Sequence, residues 1–270
     1  VVVVSQRVLA LPVAAIPEVH PVRGDAYINL AAVAKDRGDT AQAVRLARSG
    51  SRILEQWFGP QHHRTAGGIA EYGRAYIAAQ AWDDAERELR RALAIRERVY
   101  GTDHPLVANL WSDLANVAIG RQRPAEAEPI FRRIIEMYRR RHDDRHYLIG
   151  LFRGNLAGTL LRLNRPVEAE QELRAGLAMY ALTLPPDHQN VGIHLVRLAR
   201  ALVAQRRYRE AIDAAERGLG VLQKQSVPPK AWVDGARQAQ LDSYVALGDS
   251  SNARATRASL SAESPARPPR

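Results

Sequence analysis

The chain has no cysteine among its 270 residues, which excludes disulfide bonds and thiolate chemistry. Aromatic residues make up only 6% of it, few for a surface that stacks single-stranded bases. No run of about 18 uncharged apolar residues occurs, so no segment is predicted to span a membrane. Catalytic signatures such as G-x-S-x-G, H-E-x-x-H and a phosphate-binding glycine loop are also missing. We therefore expect neither an enzyme nor a bound cofactor.

Positive charge is abundant and comes almost wholly from arginine. The formal net charge is +10, and lysine occurs only at Lys35, Lys224 and Lys230. A basic balance of this kind indicates nucleic acid, an anionic membrane or an acidic protein as a partner. The alternative is that arginine merely fills the solvated faces of helices, and composition alone leaves both interpretations open.

The chain repeats itself every 42 residues. One column of this repeat is always alanine, and other columns are leucine-rich or restricted to small residues. Such an in-phase repeat is typical of a solenoid, in which one supersecondary unit is stacked many times. The alanine column consists of Ala43, Ala85, Ala127, Ala169, Ala211 and Ala253.

The third copy shows how one unit is built. Asp103 or His104 is expected to cap a helix, and Pro105 suits its first position because proline lacks an N–H. Apolar residues then follow at helical spacing as far as a turn at 120–123. Pro124 starts a second helix. Each unit is therefore predicted to be a pair of antiparallel helices joined by a short turn.

These patterns predict an all-α fold, a right-handed α-solenoid of stacked antiparallel helix pairs. We expect a partial leading helix and linker over 1–20, about six pairs over 21–260, and a disordered tail over 261–270. The last pair is degenerate, because Arg257 stands where other copies have Leu89 or Phe131.

Two segments carry a family resemblance. AERELRRALAIRE at 85–97, followed by Gly101 and Asp103-His104-Pro105, resembles tetratricopeptide repeats (TPRs) of the kinesin-light-chain type, and so does EAEPIFRR at 126–133. The general TPR unit has 34 residues, and this subtype lengthens it to 42. The resemblance implies a TPR superhelix and a bacterial protein. Similar bacterial arrays are often C-terminal regions of larger signalling or regulatory proteins.

Histidine recurs in another column and raises the question of a metal site. Equivalent helix starts in stacked repeats lie at least roughly 8–10 Å apart, whereas each imidazole must reach about 2.0–2.1 Å from a shared zinc. We therefore expect helix caps or packing at the turns between repeats, and no metal. The column consists of His20, His62, His104, His146 and His188.

Polar residues next to the leucine column are the candidate binding site. In the family that the chain resembles, asparagines at this position hold the backbone of an extended peptide. Asn29 and Asn155 match that residue type, whereas Asp113 and Arg197 depart from it. The alternative is a merely solvated edge. The candidates for binding a peptide or partner are Asn29, Arg74, Asp113, Asn116, Arg153, Asn155, Arg162, Arg197 and Arg200.

The predicted function is a protein-interaction scaffold whose concave groove binds an extended segment. The arginines gather in repeats four and five, and guanidinium groups pair with carboxylates, so we expect an acidic ligand. A basic solenoid that binds nucleic acid is the alternative, which the scarcity of aromatics disfavours. Self-association through Val1–Leu11 is a further possibility. The predicted compartment is the cytoplasm, and the start at Val1 suggests a piece of a longer protein.

Overall fold

A computed structural model describes residues 1–142 and 144–262. Within these residues the chain forms thirteen α-helices and no strands. The helices are α1 Val2–Ala10, α2 Pro21–Asp36, α3 Thr40–Phe58, α4 His63–Ala78, α5 Trp82–Tyr100, α6 Pro105–Gly120, α7 Pro124–Arg141, α8 Tyr147–Arg162, α9 Pro166–Thr183, α10 Gln189–Ala204, α11 Tyr208–Leu222, α12 Lys230–Leu247 and α13 Ser250–Ala262.

The chain divides into two compact units, Val1–Ile130 and Phe131–Arg270, with the boundary inside α7. In the first unit, α2 packs on α3 and α4 packs on α5, and the even-numbered helices α2, α4 and α6 are neighbours. In the second unit, α8 packs on α9 and α10 on α11, with α8, α10 and α12 as neighbours. We call the even-numbered helices the first helices of their pairs.

Histidine side chains cap the first helices, which confirms the interpretation of the histidine column. In each case Nδ1 accepts a hydrogen bond from the backbone N–H two residues later, at 3.1 to 3.3 Å. The bond satisfies one of the N–H groups that a helix leaves unpaired in its first turn. The capping residues are His20, His62, His104, His146 and His188.

The turn inside each pair requires a left-handed residue. Gly38, Asn164 and Gly248 adopt positive φ there, at 81°, 56° and 76°, as expected for residue types that tolerate this region. The same column also holds residues that favour it less, and their φ values are 57°, 62° and 60°. These residues are Gln80, Gln122 and Arg206.

Small side chains let the two helices of a pair approach closely. The first five alanines of the 42-residue column are 0% exposed, and Ala253 is 7% exposed. Gly73 takes the place of an alanine in a neighbouring column, where a Cβ atom would come within 2.7 Å of Leu89 Cγ. The alanine and small-residue columns are therefore the contact lines of the core, and larger side chains there would force the helices apart.

The all-α fold class predicted from the repeat is confirmed. The leading helix α1 ends at Ala10, and α2 begins at Pro21. The last helix extends to Ala262, two residues past the predicted boundary at 260. The remainder of the predicted tail, 263–270, lies outside the described residues. In the part of the chain that the structure describes, no helix is both long and apolar enough to cross a bilayer.

Candidate functional site

The candidate residues fall into two groups, one in each unit. Asn29, Arg74, Asp113 and Asn116 belong to the first unit, and the remaining four arginines and one asparagine belong to the second. Both groups lie on first helices, and seven of the nine residues fall in two columns of the repeat, Asn29, Asp113, Asn155 and Arg197 in one and Arg74, Asn116 and Arg200 in the other. Their surroundings nevertheless differ, because carboxylates accompany the arginine in one group and are missing around it in the other.

In the first unit, ion pairs connect three first helices. Arg74 Nε on α4 donates to Asp113 Oδ2 on α6 at 2.8 Å, and Arg74 also pairs with Glu71 one turn earlier. Lys35 Nζ on α2 lies 3.9 Å from Glu71 Oε2. We call these four residues the ladder. Two positive and two negative charges make its formal sum zero.

Arg74 is held firmly in the ladder. Only 27% of its side chain is exposed, and only 16% of that of Asp113. Burial alone would lower the pKa of Arg74, but the carboxylates of Asp113 and Glu71 outweigh burial and raise that pKa. The charge of Arg74 is therefore already neutralised, and a ligand carboxylate would have to displace one of the protein's own.

The two asparagines of the first unit flank the ladder. Asn29 on α2 and Asn116 on α6 are both exposed. Their side-chain amides are accessible, which fits both a peptide-binding edge and a merely solvated one.

In the second unit, Arg197 on α10 occupies the column of Asp113 and has weaker partners. Its two terminal nitrogens lie 3.4 Å from Asn155 Oδ1 on α8, which is long for a hydrogen bond. Its Cζ atom lies 4.9 Å from the centroid of the Trp232 ring on α12. Among the described residues, Arg197 forms no ion pair with a carboxylate. We call Asn155, Arg197, Arg200 and Trp232 the Arg197 cluster.

Burial and a glycine explain the position of Arg197. A Cβ atom at Gly154 on α8 would lie 2.8 Å from Nη1 of Arg197, so glycine is what allows the guanidinium to approach this helix. Burial is the main reason that the pKa of Arg197 falls to about 10, and Arg200 lowers it further. Arg197 is still charged at neutral pH, in a place where charge is costly and a carboxylate would be favoured.

Arg200 lies at the edge of a cleft between α10 and α12. The cleft has a volume of about 440 Å³. Its opposite edge carries Gln238 and Asp242, which are hydrogen-bonded to each other at 2.8 Å. The floor of the cleft is small and apolar, formed by Val203, Ala204, Gly235 and Ala239.

The other two predicted arginines differ from each other. Arg153 Nη1 lies 2.5 Å from Glu172 Oε2 on α9, so its charge is paired within its own repeat. Arg162 is exposed near the end of α8 and has no ion-pair partner among the residues described. The structure therefore brings Asn155, Arg197 and Arg200 together in the second unit and directs Arg153 to α9.

A buried histidine next to Arg197 was not among the predicted site residues. His194 is 1% exposed, and its ring nitrogens lie 3.1 Å from the Asn190 carbonyl oxygen and 2.9 Å from that of Gly150. Burial and the charge of Arg197 lower the pKa of His194 to about 4, although both carbonyls favour the protonated form. His194 is thus neutral near pH 7, and it lies one helical turn before Arg197 on α10.

Two partners within these groups were also missed. Lys35 extends the ladder onto α2, and Trp232 provides the aromatic face for Arg197. The repeat offers a signal only for Lys35, which follows Ala31 by one helical turn on the same helix. Trp232 lies in the degenerate last pair, where the columns are least regular.

Comparison with known proteins supports the repeat assignment. Profiles of the tetratricopeptide repeat match residues 68–140, 147–224 and 24–49. No curated protein matches the chain.

Solved structures of several repeat proteins share the fold. The TPR-like repeats of a Podosopora anserina protein described as a kinesin light chain are 22% identical, with a TM-score of 0.65 over 76% of this chain and 97% of that one. BtubC (BKLC) from P. vanneervenii is 16% identical over 92% of this chain and 95% of its own, with a TM-score of 0.65. A Rap protein complexed with competence and sporulation factor is 14% identical over 89% of this chain and 64% of its own, with a TM-score of 0.70.

Proposed function

Because the chain belongs to the tetratricopeptide repeat family, whose members generally mediate protein–protein interactions and are typically not enzymes, we propose that it is a scaffold that binds an acidic, extended segment of a partner protein. The binding surface is the Arg197 cluster together with the cleft between α10 and α12. The cytoplasmic location and a place within a larger signalling protein stay predictions.

The charge of Arg197 carries this proposal. The equivalent surface of the first unit is neutralised by Glu71 and Asp113, whereas Arg197 has only an amide oxygen and an aromatic ring. A guanidinium group binds a carboxylate through two parallel hydrogen bonds, which are stronger than those to a neutral oxygen. An acidic side chain therefore gives Arg197 a partner that the described residues do not supply.

The neighbouring side chains favour an extended ligand. Arg200 follows Arg197 by three residues on α10, so a segment that runs across the first helices can place one acidic residue at each arginine. The cleft beyond Arg200 has an apolar floor that accommodates an intervening side chain. Asp242, at the α12 edge of the cleft, repels acidic ligand residues that would lie next to it. It therefore limits how the acidic residues of the ligand can be aligned with Arg197 and Arg200.

Binding of a synthetic peptide tests the proposal. The probe is a labelled peptide of alternating glutamate and alanine, with a glutamine–alanine peptide as the neutral control, measured by fluorescence anisotropy at low ionic strength. We expect Arg197→Ala and Arg200→Ala each to weaken binding of the acidic peptide roughly ten-fold, because each removes a charge-assisted contact. Arg217→Ala is the matched control, since Arg217 is 66% exposed and pairs with Asp213 on α11.

The outcomes separate a protein ligand from nucleic acid. Unchanged affinity in both cluster variants would refute the proposal. Tighter binding of random single-stranded DNA than of the acidic peptide, lost in the same variants, would instead assign the surface to nucleic acid.

A further inference from the structure

A second arginine, in the first unit, occupies a position that the repeat reserves for the core. Arg96 on α5 is only 8% exposed. The residues at the equivalent position in the other pairs are apolar or aromatic and between 0% and 3% exposed. These residues are Leu54, Tyr138, Tyr180 and Leu222.

The guanidinium of Arg96 is poorly satisfied. Its Nη1 donates to the Leu106 carbonyl oxygen in the first turn of α6 at 2.9 Å. Its buried Nε has no hydrogen-bond partner, and no carboxylate among the described residues forms an ion pair with it. Burial and the charge of Arg74 lower the pKa of Arg96, and the carboxylates of Asp113 and Glu71, which act on it from beyond ion-pair distance, offset only part of this effect. A buried cation that has no carboxylate in ion-pair contact and an unsatisfied Nε is unfavourable, and it calls for an explanation.

One side of Arg96 is open at Gly67 on α4. A Cβ atom at Gly67 would lie 3.9 Å from Nη2 of Arg96, and no other atom of the described residues outside α4 comes within 4 Å of it. Gly67 itself is half-buried, so this part of α4 has contact with solvent. Side chains cover the equivalent position in four of the other pairs, namely at Asp25, Asn109, Leu151 and Ile193.

The surroundings of this opening are positive. Gly67 lies in the second turn of α4, and the Leu106 carbonyl that accepts from Arg96 lies in the first turn of α6, so the guanidinium lies near the N-terminal parts of both helices. Helix N-termini favour anions. His63 at the start of α4 has a pKa lowered by burial and by the charges of His62, Arg64 and Arg96, in keeping with a positive environment there.

We propose that Arg96 is the base of an oxyanion-binding site in the crevice between α4 and α6, entered across Gly67. The ligand is a carboxylate or a phosphate group, which accepts hydrogen bonds from Nε and Nη2 while Nη1 stays on Leu106. The ladder does not supply this anion, because Glu71 and Asp113 are engaged by Arg74. The site is separate from the Arg197 cluster and does not depend on the function proposed for it.

Inorganic phosphate is the first probe. We expect phosphate to raise the melting temperature of the wild-type chain relative to chloride at equal ionic strength, because an anion that binds only the folded state stabilises it. Arg96→Leu should abolish this shift, and it should fold because leucine occupies the equivalent positions 54 and 222. Arg98→Leu, an exposed change on the same helix, is the matched control and should keep the shift.

A second variant removes access and keeps the charge. Gly67→Leu places a side chain over Nη2 of Arg96. Leucine already occupies the equivalent position of another pair, at Leu151. The variant should abolish the phosphate response while Arg96 stays in place. Binding measured by ³¹P NMR line broadening provides a readout that does not depend on stability. Equal phosphate responses in wild type, Arg96→Leu and Gly67→Leu would overturn the proposal.

The acidic peptide distinguishes the source of the anion. If the natural ligand is an acidic side chain, Arg96→Leu should weaken binding of the glutamate–alanine peptide roughly ten-fold, and phosphate should compete. If it is a free phosphate, only the phosphate response should change. Loss of peptide binding in Arg197→Ala with an unchanged phosphate response would support a separate site at Arg96. Loss of the phosphate response in Arg197→Ala, with the response retained in Arg96→Leu, would place phosphate at the Arg197 cluster and overturn the proposal.

Discussion

The two units place different electrostatics on equivalent helices, neutral in the first and positive in the second. In the first, Arg74 lies between Glu71 and Asp113, and the ladder is complete without a ligand. In the second, the position of Asp113 is taken by Arg197, whose partners are an amide and a tryptophan ring. A repeat fold tolerates this change because each surface position is set by its own residue, while the core columns maintain the stack.

The largest difference we expect between the units is in their response to acid. His194 in the second unit is equivalent to Leu110 in the first. Its pKa falls from 6.5 to about 4 on folding, so the unfolded chain binds the proton first as the pH drops. Stability present above pH 6.5 is therefore lost between pH 6.5 and 4, by about 3 kcal/mol from this residue.

Chemical denaturation at a series of pH values checks this expectation. His194→Leu should be less sensitive to pH over the same window, and His63→Leu, at an exposed position where burial is slight, should change the pH dependence much less than His194→Leu does. An identical pH dependence in wild type and His194→Leu would contradict the role given to burial.

Matched arginine deletions compare the ladder with the cluster directly. Arg74→Ala leaves two partly buried carboxylates next to each other, and we expect the free energy of unfolding to fall by about 2 kcal/mol. Arg197→Ala removes two long hydrogen bonds and a charge that burial disfavours, so its effect should stay within about 0.5 kcal/mol. Urea unfolding measures both variants. Equal losses of unfolding free energy would contradict the difference inferred between the ladder and the Arg197 cluster.

One substitution should make the second unit resemble the first. Asn155→Asp gives Arg197 a carboxylate 3.4 Å away, where Asn155 Oδ1 now lies. The new ion pair should raise the pKa of Arg197. It should also weaken binding of the glutamate–alanine peptide roughly ten-fold, because the ligand must displace an internal partner. Peptide titration by anisotropy measures this, with Asn116→Asp as the control in the first unit. Tighter binding by Asn155→Asp would contradict the account.

The smallest effect concerns the turns. Gly38 in the first unit and Arg206 in the second both have positive φ, at 81° and 60°. An L-residue with a side chain is strained there, so Arg206→Gly should raise the free energy of unfolding by about 1 kcal/mol. Thermal unfolding checks this, and Gly38→Arg should produce a loss of similar size. If Arg206→Gly is less stable than the wild type, the contacts of the Arg206 side chain stabilise the fold by more than its left-handed backbone destabilises it.

Local features of this fold were predictable from the sequence, because each depends on few residues. His104 and Pro105 specify a helix start, and Gly38 and Asn164 specify turns. Gln80, Gln122 and Arg206 have no residue-type signal for a left-handed backbone. Only their 42-residue spacing from Gly38 could have identified them.

The candidate site was harder to predict, because a column locates a residue without its partners. The sequence placed Asp113 and Arg197 correctly in one column. It could not show that Arg74 bridges two carboxylates, or that Arg153 turns to Glu172 on α9, since long side chains choose among partners by rotamer. The burial of Arg96 could have been predicted, because its column is otherwise apolar or aromatic, but the sequence could not show which groups its guanidinium would contact.

The most direct test of the contrast between the units is NMR of the arginine side chains. Nε–H signals of Arg74, Arg197 and Arg200 are assigned and followed while the glutamate–alanine peptide is added at low ionic strength. We predict that Arg197 and Arg200 shift and saturate together, and that Arg74, already bound to Asp113, does not move. A saturating shift of Arg74 with silent Arg197 and Arg200 would contradict the account.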